Sequence, residues 1–244
     1  MFEDLQLGVM TMGRKTSEIV QRALEGGRLN LLEPEAKAIC LDYHIPVPPF
    51  ELARNADEAS SAAERLGYPV VLKIVSPDIL HKTEAGGVML GIRSTAEVRE
   101  AFTRISDNAE KYDSKAKIEG ILVQKMAPQG TEVIVGGLVD PQFGQTLMFG
   151  LGGVFVEILN DVTLRIAPIA EQDAREMVRE VKAYPMLKGY RGSPPVDEDT
   201  IVHILLAASD LMMENPQINQ MDLNPIMAYE KGANVVDARM ILQS

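Results

Sequence analysis

The sequence predicts an α+β fold of two subdomains, from three observations. Continuous apolar runs of strand length, "PVVLKIV" and "TEVIVGGLV" among them, alternate with stretches whose apolar residues recur at helical spacing. Capping residues open those stretches: Asn55 with Glu58 and Ser94 with Glu97 stand at capping-box spacing, and Asp197 heads a third. The most polar and least periodic stretch of the middle, "YDSKAK", separates two groups of elements. The expected division is a leader over residues 1–30, a first subdomain over 31–117 and a second over 118–244.

In chain order, a short helix around Ser17–Leu24 ends at Gly26 and Gly27. Pro34 suits a first helical position, and Ala38, Ile39 and Leu41 follow at helical spacing until "HIPVPP" stops the helix. Asn55 caps a helix that Gly67 terminates. "PVVLKIV" and "GVMLGI" read as strands, and Ser94 opens a helix to about Lys111. Beyond residue 117, "IEGILVQKM", "TEVIVGGLV" and "QTLMFGLGG" read as strands joined by turns containing Pro128, Gly130 and Pro141. A helix from about Glu171 to Ala183 leads into the loop "MLKGYRGSPP". Asp197 then caps a long helix that ends before Asn215 and Pro216. "INQMDLNPIMAY" and "NVVDARMIL" close the chain as a hairpin around Glu230, Lys231 and Gly232.

Composition narrows the function. The 244 residues suffice for one or two domains, and 46% apolar with 24% charged residues is ordinary for a globular protein. A net charge of -11 argues against nucleic acid or an anionic membrane surface as partner, since those select for an excess of Lys and Arg. Cys40 stands alone, so no internal disulfide forms and a reducing, cytoplasmic setting is expected. No apolar run approaches the roughly 18 residues of a membrane span, and "MFEDLQLGVM" lacks the basic start of a signal peptide. Neither GxxxxGK[ST] nor GxGxxG after a strand occurs. One cysteine and three scattered histidines offer no zinc-type cluster.

Several residues remain with chemistry to explain. Lys73 lies within "VVLKIV", where a buried ammonium is unfavourable unless an anion meets it; it either points into a cleft or snorkels from an edge strand to water. Asn224 and Asp237 share a face of the closing hairpin if its turn holds an even number of residues, and their oxygens then suit Mg²⁺; otherwise they are a turn-forming Asn-Pro and an exposed Asp. Gly86 and Gly87 of "EAGGV", like the glycines of "FGLGGVF", either present backbone N–H groups to phosphate or simply make turns. His81 sits among Asp78, Lys82 and Glu84. His44, at a helix end, and His203, within a long amphipathic helix, read as structural.

Six stretches in this order, "LNLLEPEAKAICLDYHIPVP", "YPVVLKIVSPDILHKTEAGGV", "ILVQKMAPQGTEVIVGGLVD", "FGLGGVFVEIL", "LKGYRGSPP" and "MDLNPIMAYEKGANVVDARM", resemble the ATP-grasp β subunits of NDP-forming acyl-CoA synthetases, the ADP-forming acetate–CoA ligases. Succinyl-CoA synthetase β chains are similar at greater distance. The resemblance spans roughly residues 16–241. It implies an ATP-grasp fold with the nucleotide in a cleft between two subdomains, and ATP or ADP with Mg²⁺ as cofactors. It also implies a CoA-binding α subunit as partner in an α₂β₂ assembly.

Residue by residue, the resemblance makes Lys73 a phosphate contact, which suits a point-like ammonium on a flexible stem. Val123, Gln124, Lys125 and Met126 become the hinge that recognises adenine, Glu132 an acidic group near ribose and phosphates, and Asn224 and Asp237 the magnesium ligands. His81 matches a histidine that takes a phosphoryl group from the partner and passes it to ADP, a task for which a neutral imidazole is a competent nucleophile. Glycines on its loop are expected to give it freedom to travel. Arg191, Asp161 and Arg165 match positions characteristic of the family, where each either orients phosphate or the travelling loop, Arg191 as a catalytic residue, or forms a local ion pair. Gln124 departs from the acidic residue of the succinyl type. The implied reaction is acyl-CoA + ADP + phosphate ⇌ acid + CoA + ATP. Two alternatives stay open: an ATP-grasp ligase working through an acyl phosphate, and a nucleotide-sensing regulatory subunit.

Overall fold

A computed structural model describes residues 13–153, 160–190 and 194–243. The chain divides into two compact units, one of residues 32–34 and 48–127, the other of residues 1–31, 35–47 and 128–244.

The smaller unit is built on a four-stranded antiparallel sheet in the order β1-β4-β2-β3, with β1 Phe50–Ala53, β2 Val70–Val75, β3 Val88–Ile92 and β4 Gly120–Lys125. Two of its helices are α3 Ala56–Leu66 and α4 Thr95–Tyr112. Each begins at the expected cap: the N–H of Glu58 donates to Asn55 and that of Glu97 to Ser94, while each Glu carboxylate accepts the N–H just before its cap residue. Ala59, Ala62 and Ala63 of α3 and Val98, Ala101 and Ile105 of α4 form one core with Leu72, Ile74, Ile121 and Val123. The period of two then sends Val71, Lys73, Leu122 and Gln124 to the other face, where they too are buried.

The larger unit holds a six-stranded antiparallel sheet in the order β10-β8-β5-β6-β7, with β9 added beside β8. Its strands are β5 Thr131–Asp140, β6 Gly144–Leu151, β7 Val162–Ile166, β8 Ile218–Ala228, β9 Ala233–Val235 and β10 Ala238–Leu242. Its core draws on α1 Arg14–Glu25, α2 Glu33–Asp42, α5 Glu171–Glu180, α6 Tyr184–Leu187 and α7 Glu198–Glu214. α7 is the long helix capped by Asp197, which accepts the N–H of Thr200, and it buries Ile201, Leu205, Ala208 and Met212. Among the described residues no helix is long and apolar enough to cross a membrane.

The division differs from the expected boundaries. A break near residue 117 would remove β4, yet β4 lies between β1 and β2, so the chain changes unit only after Ala127. The segment expected as a leader supplies α1, whose Ile19, Val20 and Ala23 enter the core of the six-stranded unit, and residues 35–47 join them there. β1 and β7 are strands that periodicity alone passes over. β1 has four residues directly after a proline run, and β7 leaves Leu164 and Ile166 exposed. The helix opened by Glu171 stops at Glu180, and α6 follows as a separate turn.

Candidate functional site

In the four-stranded unit Lys73 is 4% exposed, and its Nζ lies 2.6 Å from Glu33 Oε1. The ammonium of Lys82 pairs with Oε2 of the same carboxylate. The anion that burial of Lys73 demands is therefore supplied by a side chain at the head of α2, and β2, flanked by β4 and β3, gives the lysine no edge from which to reach water. No sequence pattern singles out Glu33 or Lys82; the one signal is Glu33 directly before Pro34 at a helix start.

His81 stands on the loop joining β2 to β3 and is exposed. Both arms of that loop are fastened. The Ser76 hydroxyl accepts the N–H groups of Asp78 (3.1 Å) and Ile79 (3.2 Å), Asp78 accepts the N–H of Lys117 (2.6 Å), and Ile79 and Ala85 are buried. The ring thus projects from an anchored support. Gly86 and Gly87 make a turn and not the phosphate nest: their N–H groups donate inward, to Thr83 O (3.0 Å) and Lys82 O (2.8 Å). Close packing accounts for both, since a Cβ on Gly87 would lie 2.4 Å from the Ile74 side chain and Gly86 has φ +62° beside Asn108. They brace the loop instead of loosening it.

The segment from Val123 to Met126 runs out of β4 just before the chain changes unit. Lys125 donates its backbone N–H to Pro49 and its ammonium to the carbonyls of Gly67 (2.9 Å) and Tyr68 (2.8 Å); the N–H of Met126 goes to Pro69. Gln124 is wholly buried, and neither atom of its amide has a hydrogen-bond partner. Pairing of Gln124 with Val71 and of Leu122 with Lys73 puts that amide on the same sheet face as Lys73. A buried amide with both ends unmatched is unfavourable unless a ligand completes it.

In the six-stranded unit Asn224 and Asp237 lie opposite one another. Leu223 pairs with Ala238 and Ile226 with Val235, and the N–H of Asn224 donates to Asp237 O at 3.2 Å. The flanking Leu223 and Ala238 are buried, so the two polar side chains share the opposite face, with Asp222 two residues along from Asn224. The Asp222 carboxyl is held above the usual carboxylate range by burial and by the charge of Asp237, partly offset by Arg239. A cation would relieve that repulsion. Among the described residues no three His, Cys, Asp or Glu gather at one point. Two oxygen donors are the protein share that Mg²⁺ accepts when phosphates and water supply the rest, so the residues fit this metal.

Glu132 is exposed on β5 and lines a cavity of about 410 Å³ with Gly130, Thr131, Met227 and Tyr229. Its carbonyl accepts the N–H of Gly152 (2.8 Å), and Gly152 passes so close that a Cβ would meet the Glu132 Cβ at 2.8 Å. Asp161 is buried and accepts the N–H groups of Lys182 (2.8 Å) and Ala183 (2.7 Å), while Arg165 pairs with Glu180 (2.6 Å). Both thereby make local structural contacts. Arg191 lies outside the described residues. His44 follows α2 with φ +57°, and His203 sets its ring nitrogen 3.3 Å from the His44 carbonyl. Cys40 is buried in α2, which pushes its thiol up to about 12.

The ATP-grasp domain family matches residues 22–242. The "Acetate--CoA ligase [ADP-forming] I subunit beta" of Pyrococcus furiosus is 52% identical over 228 residues, 93% of this chain and 98% of that protein. The "Acetate--CoA ligase [ADP-forming] I" of Archaeoglobus fulgidus is 49% identical over 241 residues, 98% of this chain but 34% of that protein. A solved structure of Ca. Korarchaeum cryptofilum dinucleotide forming acetyl-coenzyme A synthetase 1, in complex with coenzyme A, Ca-AMPCP and HgCl+, is similar with TM-score 0.91 and 51% identity over 93% of this chain and 99% of that one. A further structure of the Korarchaeum protein, with coenzyme A and Mg-AMPPCP, has its phosphohistidine segment pointing towards the nucleotide binding site, at TM-score 0.83 and 49% identity over the same shares.

Proposed function

The chain belongs to the ATP-grasp family, and on that premise we propose that it is the β subunit of an ADP-forming acyl-CoA synthetase of the acetate–CoA ligase type. It works in the cytoplasm with a CoA-binding α subunit in an α₂β₂ assembly, and the pair interconverts acyl-CoA, ADP and phosphate with acid, CoA and ATP. The observation that carries the reading is an exposed histidine on an anchored loop whose next residue shares a buried carboxylate with the strand lysine.

His81 receives a phosphoryl group from a phosphohistidine of the partner and passes it to ADP. In the second transfer the N–P bond of phospho-His81 breaks and a β-phosphate oxygen of ADP forms the new P–O bond. The imidazole regains its lone pair and afterwards exchanges protons with water. Lys73 contacts the nucleotide phosphates, and Asn224 and Asp237 hold Mg²⁺, which when bound neutralises phosphate charge. The segment from Val123 to Met126 takes the adenine, with the unmatched amide of Gln124 as its recognition group. Glu132 lies near ribose and phosphates.

The test is His81→Asn, assayed with the α chain present. Turnover is expected to fall by roughly three orders of magnitude or more, while ADP affinity stays within about threefold of wild type. Incubating the wild-type chain with γ-labelled ATP should give label on His81 that acid releases. Undiminished turnover of the variant, or an acid-stable label, rejects the relay.

A further inference from the structure

The position of Lys82 is not explained by the roles assigned above. Two ammonium groups, from Lys73 and Lys82, converge on the two oxygens of one carboxylate. Two like charges held a few ångströms apart repel each other, and Glu33 is what keeps them together. The arrangement is built rather than incidental. The Glu33 and Lys73 side chains are each 5% exposed and that of Lys82 is 18% exposed, so the screening that makes surface ion pairs weak is largely missing. The Lys82 backbone is fixed as well, because its carbonyl accepts the N–H of Gly87.

Resting on the proposed phosphoryl relay, we infer that Lys82 is a second phosphate-contacting cation and that Glu33 is the positioning residue that pairs it with Lys73. A diphosphate carries anionic oxygens on adjacent phosphorus atoms, and two ammonium groups gathered at one carboxylate offer a cation to each. Sharing of the carboxylate also solves a problem of exchange. When Lys73 turns to a phosphate, Glu33 keeps Lys82 as counter-ion, and when Lys82 turns, it keeps Lys73. At no stage does the buried carboxylate lose both partners, which would be strongly unfavourable. The residue next to the phosphate-carrying ring thereby becomes a cation that accompanies the transferred group.

The decisive variant is Lys82→Met, which leaves the Glu33–Lys73 pair whole and therefore keeps the fold. Calorimetric titration of the full chain with ADP, with tripolyphosphate and with adenosine reads binding without turnover. ADP and tripolyphosphate should bind about tenfold more weakly or worse, adenosine should bind as in wild type, and Lys82→Arg should recover most of the loss. ADP affinity within twofold of wild type overturns the assignment of Lys82. Because these titrations need no phosphohistidine, they judge Lys82 even if His81 proves never to be labelled.

Glu33→Gln tests the positioning role. Labelling of His81 by ATP should slow about tenfold while tripolyphosphate binds at least as tightly as before, and Glu33→Asp should restore part of the rate. Faster labelling together with tighter binding would make Glu33 a competitor for Lys73 and overturn the positioning role. So would equal losses of binding and rate that track a fallen melting temperature without rescue by Asp.

Discussion

Lys73 in the four-stranded unit and Lys37 in the six-stranded unit are both buried almost completely, yet they meet their surroundings in opposite ways. Lys73 faces a carboxylate that it shares with Lys82. Lys37, wholly buried on α2, donates to the main-chain carbonyls of Val235 (3.3 Å) and Val236 (2.7 Å), on the segment that leads into Asp237. A carboxylate on a side chain can be exchanged for another anion, whereas a carbonyl of a paired strand cannot move without its sheet. The difference separates a lysine whose counter-ion another anion can replace from one tied to the main chain, although the two are buried alike.

Substitution of Lys73 tests this contrast most severely. Lys73→Met should leave the chain folded, because Glu33 keeps Lys82, and should lower the rate of His81 labelling by roughly a thousandfold, about 4 kcal/mol of transition-state stabilisation. A variant that unfolds instead, with labelling intact in whatever folded fraction remains, would make Lys73 a structural residue and erase the distinction. Lys37→Met should behave in the reverse sense. Two main-chain carbonyls lose a donor in a buried setting, for about 3 kcal/mol of stability by denaturant titration, and labelling of the folded chain should stay within about threefold. Loss of labelling in a stable Lys37→Met protein would show that this lysine serves the neighbouring Asp237 more than the sheet.

The same contrast explains what could be read from residue order. β2, β5 and β6 announce themselves by largely apolar runs of strand length, and α3, α4 and α7 by caps whose hydrogen bonds are local, spanning three residues each. Asn224 and Asp237 were legible as a pair because strand parity carries across a short turn, and the chain between them reverses at Tyr229 and Gly232. The Lys73–Glu33–Lys82 cluster was not legible. Its contacts join residues 40 and 49 positions apart, and no periodicity links a helix head to a strand centre over that distance. The boundary after Ala127 was hidden for a similar reason, since β4 joins its sheet by pairing with β1 and β2 rather than by nearness in sequence. The glycines at 86 and 87 misled because a Gly-Gly pair looks alike whether its N–H groups turn outward to an anion or inward to the loop.

The smallest effect concerns Gln124, where stability and binding should move in opposite directions. Its amide is buried with neither end matched, on the sheet face that also carries Lys73. An unmatched amide destabilises the protein that carries it, and replacing it by an apolar side chain of similar size removes the penalty. Gln124→Leu should therefore raise the unfolding free energy of the nucleotide-free chain by about 1 kcal/mol and weaken ADP binding about tenfold. Affinity for tripolyphosphate, which has no base, should not change. If Gln124→Leu destabilises the nucleotide-free chain, the amide is already satisfied inside the fold and its assignment to base recognition fails. A stabilised variant that has lost discrimination between ADP and GDP would instead mark position 124 as a place where the protein gives up stability to read its ligand.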